Sequence, residues 1–194
     1  MLVTAGYQGA LQLVAGLVAR AGDEVWFEDP GYRFARRALL AAGMRLAMVP
    51  VDASGLDVAY AKRHHPGARL AVVTPGHQSP LGMALSPQRR RDLLEWAVAS
   101  DSWVLEDDYD SEFHYAGRKP AALKSIDRHG RVFHAASFSK TLFPGLRVGY
   151  MVLPRALAEP FRTAHADLYR EVIAANRTKT VGGAAPDSRP PHPE

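Results

Sequence analysis

The chain has 194 residues, 47% of them hydrophobic and 23% charged, enough apolar side chains for a sizeable core and too many for disorder throughout. Its 24 Lys and Arg against 20 Asp and Glu leave a net charge of +4, too small and scattered an excess to point to nucleic acid, and the lack of cysteine removes disulfides and thiolate zinc sites. No apolar run reaches the roughly 20 residues of a membrane helix, and no leader pattern follows Met1, so the expectation is a cytoplasmic protein with no membrane partner.

Met1 is followed almost at once by a strand end, a turn and a helix from Gly9 to Arg20. The strands expected next are "EVWFE" (Glu24 to Glu28), "RLAMVP" (Arg45 to Pro50), "RLAVVT" (Arg69 to Thr74), "SWVLED" (Ser102 to Asp107), "RVFHAAS" (Arg131 to Ser137) and "GYMVL" (Gly149 to Leu153). Several are too continuously apolar to have a wet face. Helices are expected at Tyr32 to Ala42, Pro87 to Ser100 and Ala156 to Glu171, with Ser86 an N-cap before Pro87 at the first helical position. This alternation predicts an α/β fold of three layers, α/β/α, around a mainly parallel sheet. Residues 1–175 form that domain; in 176–194 glycine, proline and charge replace the apolar period, which predicts a disordered tail. Both ends look truncated, so the domain is expected to be incomplete.

The stretch "SFSKTLFPGLRVGY" (Ser137 to Tyr150) sets two serines, Lys140 and Arg147 between apolar strands. Lys140 alone reads as a solvated charge at a strand end. A phosphate loop fails because no glycine stands where its backbone amides are needed. The S-x-x-K of penicillin-recognising enzymes matches "SFSK", but its partner motifs S-D-N and K-T-G are absent. A pyridoxal phosphate site explains more of these residues together. It needs a lysine for the aldehyde, hydroxyl, guanidinium and backbone donors for the phosphate, a carboxylate for the pyridine nitrogen, and a flat group against the ring.

With "EDPGY" (Glu28 to Tyr32), "TPGHQSPLG" (Thr74 to Gly82) and "EDDYDSEFHY" (Glu106 to Tyr115) in the same order, the sequence resembles the fold-type-I, class I/II aminotransferases up to about Tyr169. Within that group it is most similar to the aminotransferase domain of MocR/GabR-type regulators of the GntR family. The resemblance implies pyridoxal 5'-phosphate as cofactor, with Lys140 as the Schiff-base lysine and Ser137, Ser139 and Arg147 at the phosphate. The backbone amides of Gly6, Tyr7 and Gln8 would complete that phosphate site from a helix start. Asp107 would pair with the pyridine nitrogen, Tyr109 would reach the phenolic oxygen and Tyr32 would stack on the ring. Ser79 falls near an asparagine position of many aminotransferases, Gly76 stands where the subgroup usually has serine, and His77 and Gln78 follow the subgroup without an assigned role.

A rival reading makes Asp108, Asp110 and Glu112 a cation loop, although the glycine an EF-hand needs after its third ligand is missing. No histidine spacing supports metal catalysis, and no metal is expected. The family's small C-terminal domain, which supplies an arginine for the substrate carboxylate, and the regulators' winged-helix DNA-binding domain have no counterpart in this sequence. The expected function is therefore amino-group transfer between an amino acid or related amine and a 2-oxo acid, in a chain that the truncation could leave inactive. The alternatives are an effector-sensing module of a MocR/GabR-type transcription regulator, without turnover, or a remnant of one. A homodimer is expected of the complete family member.

Overall fold

The computed structural model describes residues 1–110, 121–138 and 147–168. In chain order the elements are β1 (Leu2–Thr4), α1 (Gly6–Val18), β2 (Glu24–Asp29), α2 (Arg33–Ala41), β3 (Arg45–Asp52), β4 (Gly55–Leu56), α3 (Val58–His64), β5 (Leu70–Val73), α4 (Pro87–Ala99), β6 (Trp103–Asp108), α5 (Leu123–Ile126), β7 (Val132–Ser137) and β8 (Gly149–Val152). A short 3-10 turn at Arg155–Leu157 then leads into helix over 158–168. The expected tail, 176–194, lies outside the described residues, as do Ser139, Lys140 and Glu112.

The strands form one sheet in the order β1-β8-β7-β6-β5-β2-β3-β4. The five from β3 to β7 in that row run parallel, while β4, β8 and β1 add antiparallel edges. All four residues of β5 are buried, which is why that run reads as continuously apolar: both of its faces are covered. Alternation within β2 divides the core in two. Val25 and Phe27 join Leu11, Val14, Leu39 and Phe161 on the α1 and α2 side, with the 158–168 helix. Trp26 faces the other way, among Val58, Leu93, Trp96 and Leu123 of α3, α4 and α5. Its ring stacks on Trp96 at 3.7 Å between centroids, and its Nε1 donates to the His65 carbonyl at 2.8 Å. The expected helix, sheet, helix layering is present.

Local chemistry starts the helices. The Ser86 hydroxyl accepts from the Arg89 amide at 3.3 Å with Pro87 at the first turn, as the sequence indicates. The Asp57 carboxylate accepts from the Tyr60 amide at 2.9 Å and starts α3, an element the sequence reading omitted along with β4 and α5. Helix α1 begins at Gly6 rather than the expected Gly9, because Gly6 takes φ +65° and turns the chain directly off β1. A Cβ on Gly149 would lie 2.5 Å from the Ala136 carbonyl oxygen and 3.1 Å from the Gly6 Cα, so only glycine lets β8 pass this close to the start of α1. That contact sets Arg147 beside the helix terminus. Among the described residues no helix is long and apolar enough to cross a membrane.

Candidate active site

Ligands in open α/β sheets settle outside the carboxyl ends of the strands, and here those ends supply the polar residues. A cavity of about 300 Å³ opens where β1 runs into α1, where β6 and β7 end and where β8 begins. Its walls are Ala5, Gly6, Tyr7 and Gln8 from the α1 start, Tyr32 before α2, Ser79 from the loop after β5, Asp107 and Tyr109 at the end of β6, Ser137 at the end of β7, and Arg147. Eight of the ten residues expected from the sequence meet at this cavity; Ser139 and Lys140 are the two outside the described residues.

The cavity is built to receive negative charge on one side. No acidic residue occupies the first turn of α1 and no side chain caps it, so the helix presents its amides and the positive end of its dipole. Arg147 is held at φ +46°, a left-handed conformation that costs a non-glycine residue roughly 1 kcal/mol. Its carbonyl oxygen lies 3.6 Å from where a Gly6 Cβ would be, and the Phe138 amide donates to the Val148 carbonyl at 2.9 Å, tying β7 to the approach to β8.

The opposite wall is acidic and aromatic. Asp107 is 5% exposed at the end of β6. Burial pushes the Tyr7 phenol well above its ordinary pKa, and the charges of Asp107 and Glu28 add to the effect. Burial also raises Tyr32, again with Asp107 behind it, while Arg33 and Arg147 pull the other way. Tyr109 is pushed up to about 12 by burial first, then by Asp110, which accepts a hydrogen bond from its hydroxyl, and by Asp107. All three phenols therefore remain hydrogen-bond donors at neutral pH. Tyr32 touches Phe34 edge-on at 5.6 Å and lies 6.3 Å from Tyr7, which fixes its ring over the cavity.

A buried lock behind the cavity was not read from the sequence. The Glu28 carboxylate accepts from the Thr74 amide at 3.1 Å, the Thr74 hydroxyl at 2.6 Å and the Gln78 amide nitrogen at 3.1 Å. Gln78 also donates to the carbonyls of Pro30 and Ser79 and accepts from the Leu81 amide. The loop carrying Tyr32 and the loop carrying Ser79 are thus one unit. Arg90 of α4 braces it from below, donating to the Leu85, Pro75 and Ala121 carbonyls. Polar residues closing apolar strands, Glu28 after "VWF" and Thr74 after "LAVV", were the available signal; their pairing spans 46 residues and left none.

His77 pairs through Nδ1 with Asp110 and lies nearly parallel to the Tyr109 ring, 6.0 Å away. Asp108 lies 3.7 Å from His134 Nε2, whose Nδ1 meets Glu106 at 3.0 Å. The described carboxylates of the proposed cation loop thus face different histidines. Among the described residues no group of three or more His, Cys, Asp or Glu could hold a metal ion.

The profile of the family "aminotransferase class I and II" matches residues 1–181, past Tyr169, where the resemblance was expected to end. The chain belongs to the class I and II aminotransferase family. Among solved structures, this aminotransferase-family chain is similar to the kynurenine aminotransferase of Pyrococcus horikoshii, determined in complex with PMP. The TM-score is 0.81 at 30% identity, covering 86% of this chain and 43% of that one. It is also similar to LysN, the α-aminoadipate aminotransferase of Thermus thermophilus, complexed with N-(5'-phosphopyridoxyl)-L-leucine. There the TM-score is 0.75 at 30% identity, over 84% of this chain and 43% of that one.

Curated relatives of this family member include regulators. The probable rhizopine catabolism regulatory protein MocR of Rhizobium meliloti is 41% identical over 162 residues, 84% of this chain and 32% of the relative. The transcriptional regulator TauR of Rhodobacter capsulatus is 38% identical over 170 residues, 88% of this chain and 34% of the relative. The chain spans about a third of the length of the curated relatives it matches.

Proposed function

We propose that this chain is the cofactor-binding portion of a pyridoxal 5'-phosphate-dependent, aminotransferase-like domain that handles amino acids or related amines. The observation that carries the reading is the convergence of the α1 start, Ser137, Arg147, Asp107, Tyr32 and Tyr109 on one cavity. The residues fit the cofactor on two counts besides family. The donor set joins a helix amide terminus, a hydroxyl and a guanidinium for a dianion to a carboxylate and aromatic rings for a protonated heterocycle. Within the same walls the Tyr7 hydroxyl and the Gln8 side-chain nitrogen are buried without a hydrogen-bond partner among the described residues, a state that a bound polar ligand relieves.

Bound pyridoxal phosphate supplies an electron sink that stabilises negative charge at a substrate's α-carbon. The chain's own residues do the rest. The amides of Gly6, Tyr7 and Gln8, with Ser137, Ser139 and Arg147, would hold the phosphate. Asp107 would keep a proton on the pyridine nitrogen, and Tyr32 would lie against the ring. Tyr109, protonated at neutral pH, would turn its one hydroxyl hydrogen bond from Asp110 to the phenolic oxygen. Lys140 would supply the amine for the cofactor's aldehyde and, once released from it, the base for the proton at the substrate's α-carbon.

The names of the curated relatives favour a second reading, in which ligand binding at this site signals rather than turns over, in a regulator of the MocR type. Either reading goes with a cytoplasmic location and, for the complete family member, a homodimer. Mixing the purified chain with pyridoxal phosphate should give a new visible absorbance band, weakened in Asp107→Ala and Arg147→Ala; no band in the unaltered chain contradicts the proposal. Single-turnover mixing with a panel of amino acids then separates the two roles. Release of a 2-oxo acid supports amino-group transfer, and a spectral change without release supports sensing.

A further inference from the structure

His77 has no role in the cofactor reading, yet it shares a partner with a residue that does. Its Nδ1 meets the Asp110 carboxylate, a group that only accepts, so that nitrogen carries the hydrogen. Asp110 also accepts a hydrogen bond from the Tyr109 hydroxyl. One carboxylate thus takes a donor from the loop after β5 and another from the end of β6. Tyr109 lines the cavity, whereas His77 and Asp110 do not, so both reach a ligand only through Tyr109.

The imidazole is fixed from behind. A Cβ on Gly82 would lie 3.2 Å from His77 Nε2, so the turn at Gly82 packs on that edge of the ring and leaves Nδ1 to Asp110. The Gly82 amide donates to the Gln78 carbonyl at 2.6 Å, and the Gln78 side chain is locked to Glu28. The ring lies 19° from parallel with that of Tyr109. Seating the cofactor asks Tyr109 to change partners, because a phenol has one hydrogen to donate and Asp110 holds it. The Asp110 side chain is only 18% exposed, so surrendering Tyr109 with no other donor at hand would be costly. With His77 in place, a donor stays behind. We propose that His77 is a positioning residue for Tyr109: by keeping a donor on Asp110, it lets the Tyr109 hydroxyl pass from Asp110 to the phenolic oxygen of the cofactor. This role rests on the cofactor reading above and adds a residue to it.

The test uses the full 194-residue chain, unaltered and as His77→Ala, His77→Asn, Asp110→Ala and the double variant of His77→Ala with Asp110→Ala. Affinity is measured for pyridoxal phosphate and for its 3-deoxy analogue, which lacks the phenolic oxygen. His77→Ala is expected to weaken pyridoxal phosphate about five-fold, the scale of one net hydrogen bond. His77→Asn, whose side-chain nitrogen takes the place of Nδ1, should stay within about two-fold of the unaltered chain. The 3-deoxy analogue should bind the unaltered chain and both His77 variants alike, because it offers Tyr109 no new acceptor. Asp110→Ala should bind pyridoxal phosphate at least as tightly as the unaltered chain, and on that background His77→Ala should cost less than about two-fold. Unchanged affinity in His77→Ala, an equal loss for the 3-deoxy analogue, an equal loss on the Asp110→Ala background, or weaker binding by Asp110→Ala overturns the proposal while leaving the cofactor reading in place. Failure of the unaltered chain to bind either ligand overturns both.

Discussion

The side-chain nitrogen of Gln78 lies 3.1 Å from Glu28 Oε2, a buried bond joining the loop after β5 to the end of β2. It makes one unit of two loops that share no sequence neighbourhood, one bearing Tyr32 and the other Ser79. Gln78→Ala removes this bond together with those to Pro30, Ser79 and Leu81, and leaves Glu28 with fewer donors. We expect a loss of about 2–3 kcal/mol, read as a lower urea midpoint with the slope of the transition unchanged. The cofactor should also bind more weakly, because Tyr32 is no longer held. A midpoint equal to that of the unaltered chain would show the lock to be idle.

Glu28 also confers a pH dependence. Burial raises its pKa above the ordinary 4.5, although the Thr74 and Gln78 hydrogen bonds oppose the shift. Its contribution to stability is therefore fully present below 4.5 and is lost as pH rises through the folded value. Asp52 and Asp127, both held low, act in the opposite sense, so the difference between the unaltered chain and Glu28→Gln isolates this one group. That difference should move against the unaltered chain as pH is raised from about 4 to 7. Parallel stability curves for the two proteins would refute it.

The long buried strands were legible because a strand covered on both faces leaves an uninterrupted apolar run, as in "LAVV" of β5. Ser86 with Pro87 was legible because a cap and its proline are adjacent in sequence. By contrast, β4 has two residues, α5 four and α3 seven, too few for any period to show. The early start of α1 depends on Gly149 approaching Gly6 from the far end of the chain. The same division holds at the site. Asp107, Ser137, Tyr32 and Arg147 could be named because each lies in a short contiguous motif that carries the family resemblance, whereas Glu28 with Gln78, 50 residues apart, needed the fold to bring them together.

Arg147 combines a strained backbone with a charged side chain, and the two can be separated. At φ +46° glycine is unstrained, so Arg147→Gly should leave cofactor-free stability within about 1 kcal/mol of the original, relief of strain offsetting the greater freedom of the unfolded chain. Affinity for pyridoxal phosphate should fall at least about ten-fold, because a guanidinium pairs with phosphate through two bonds. Pyridoxal, without the phosphate, should bind this variant and the unaltered chain alike. Equal losses for the two ligands would move Arg147 away from the phosphate.

The central claim is that this cavity holds pyridoxal phosphate with Lys140 at its aldehyde. Incubating the chain with the cofactor, reducing with borohydride and digesting should place a phosphopyridoxyl mass on the peptide containing Lys140, and Lys140→Ala should carry none. Label absent from the unaltered chain, or label that persists on other lysines in Lys140→Ala at the same level, would contradict the account.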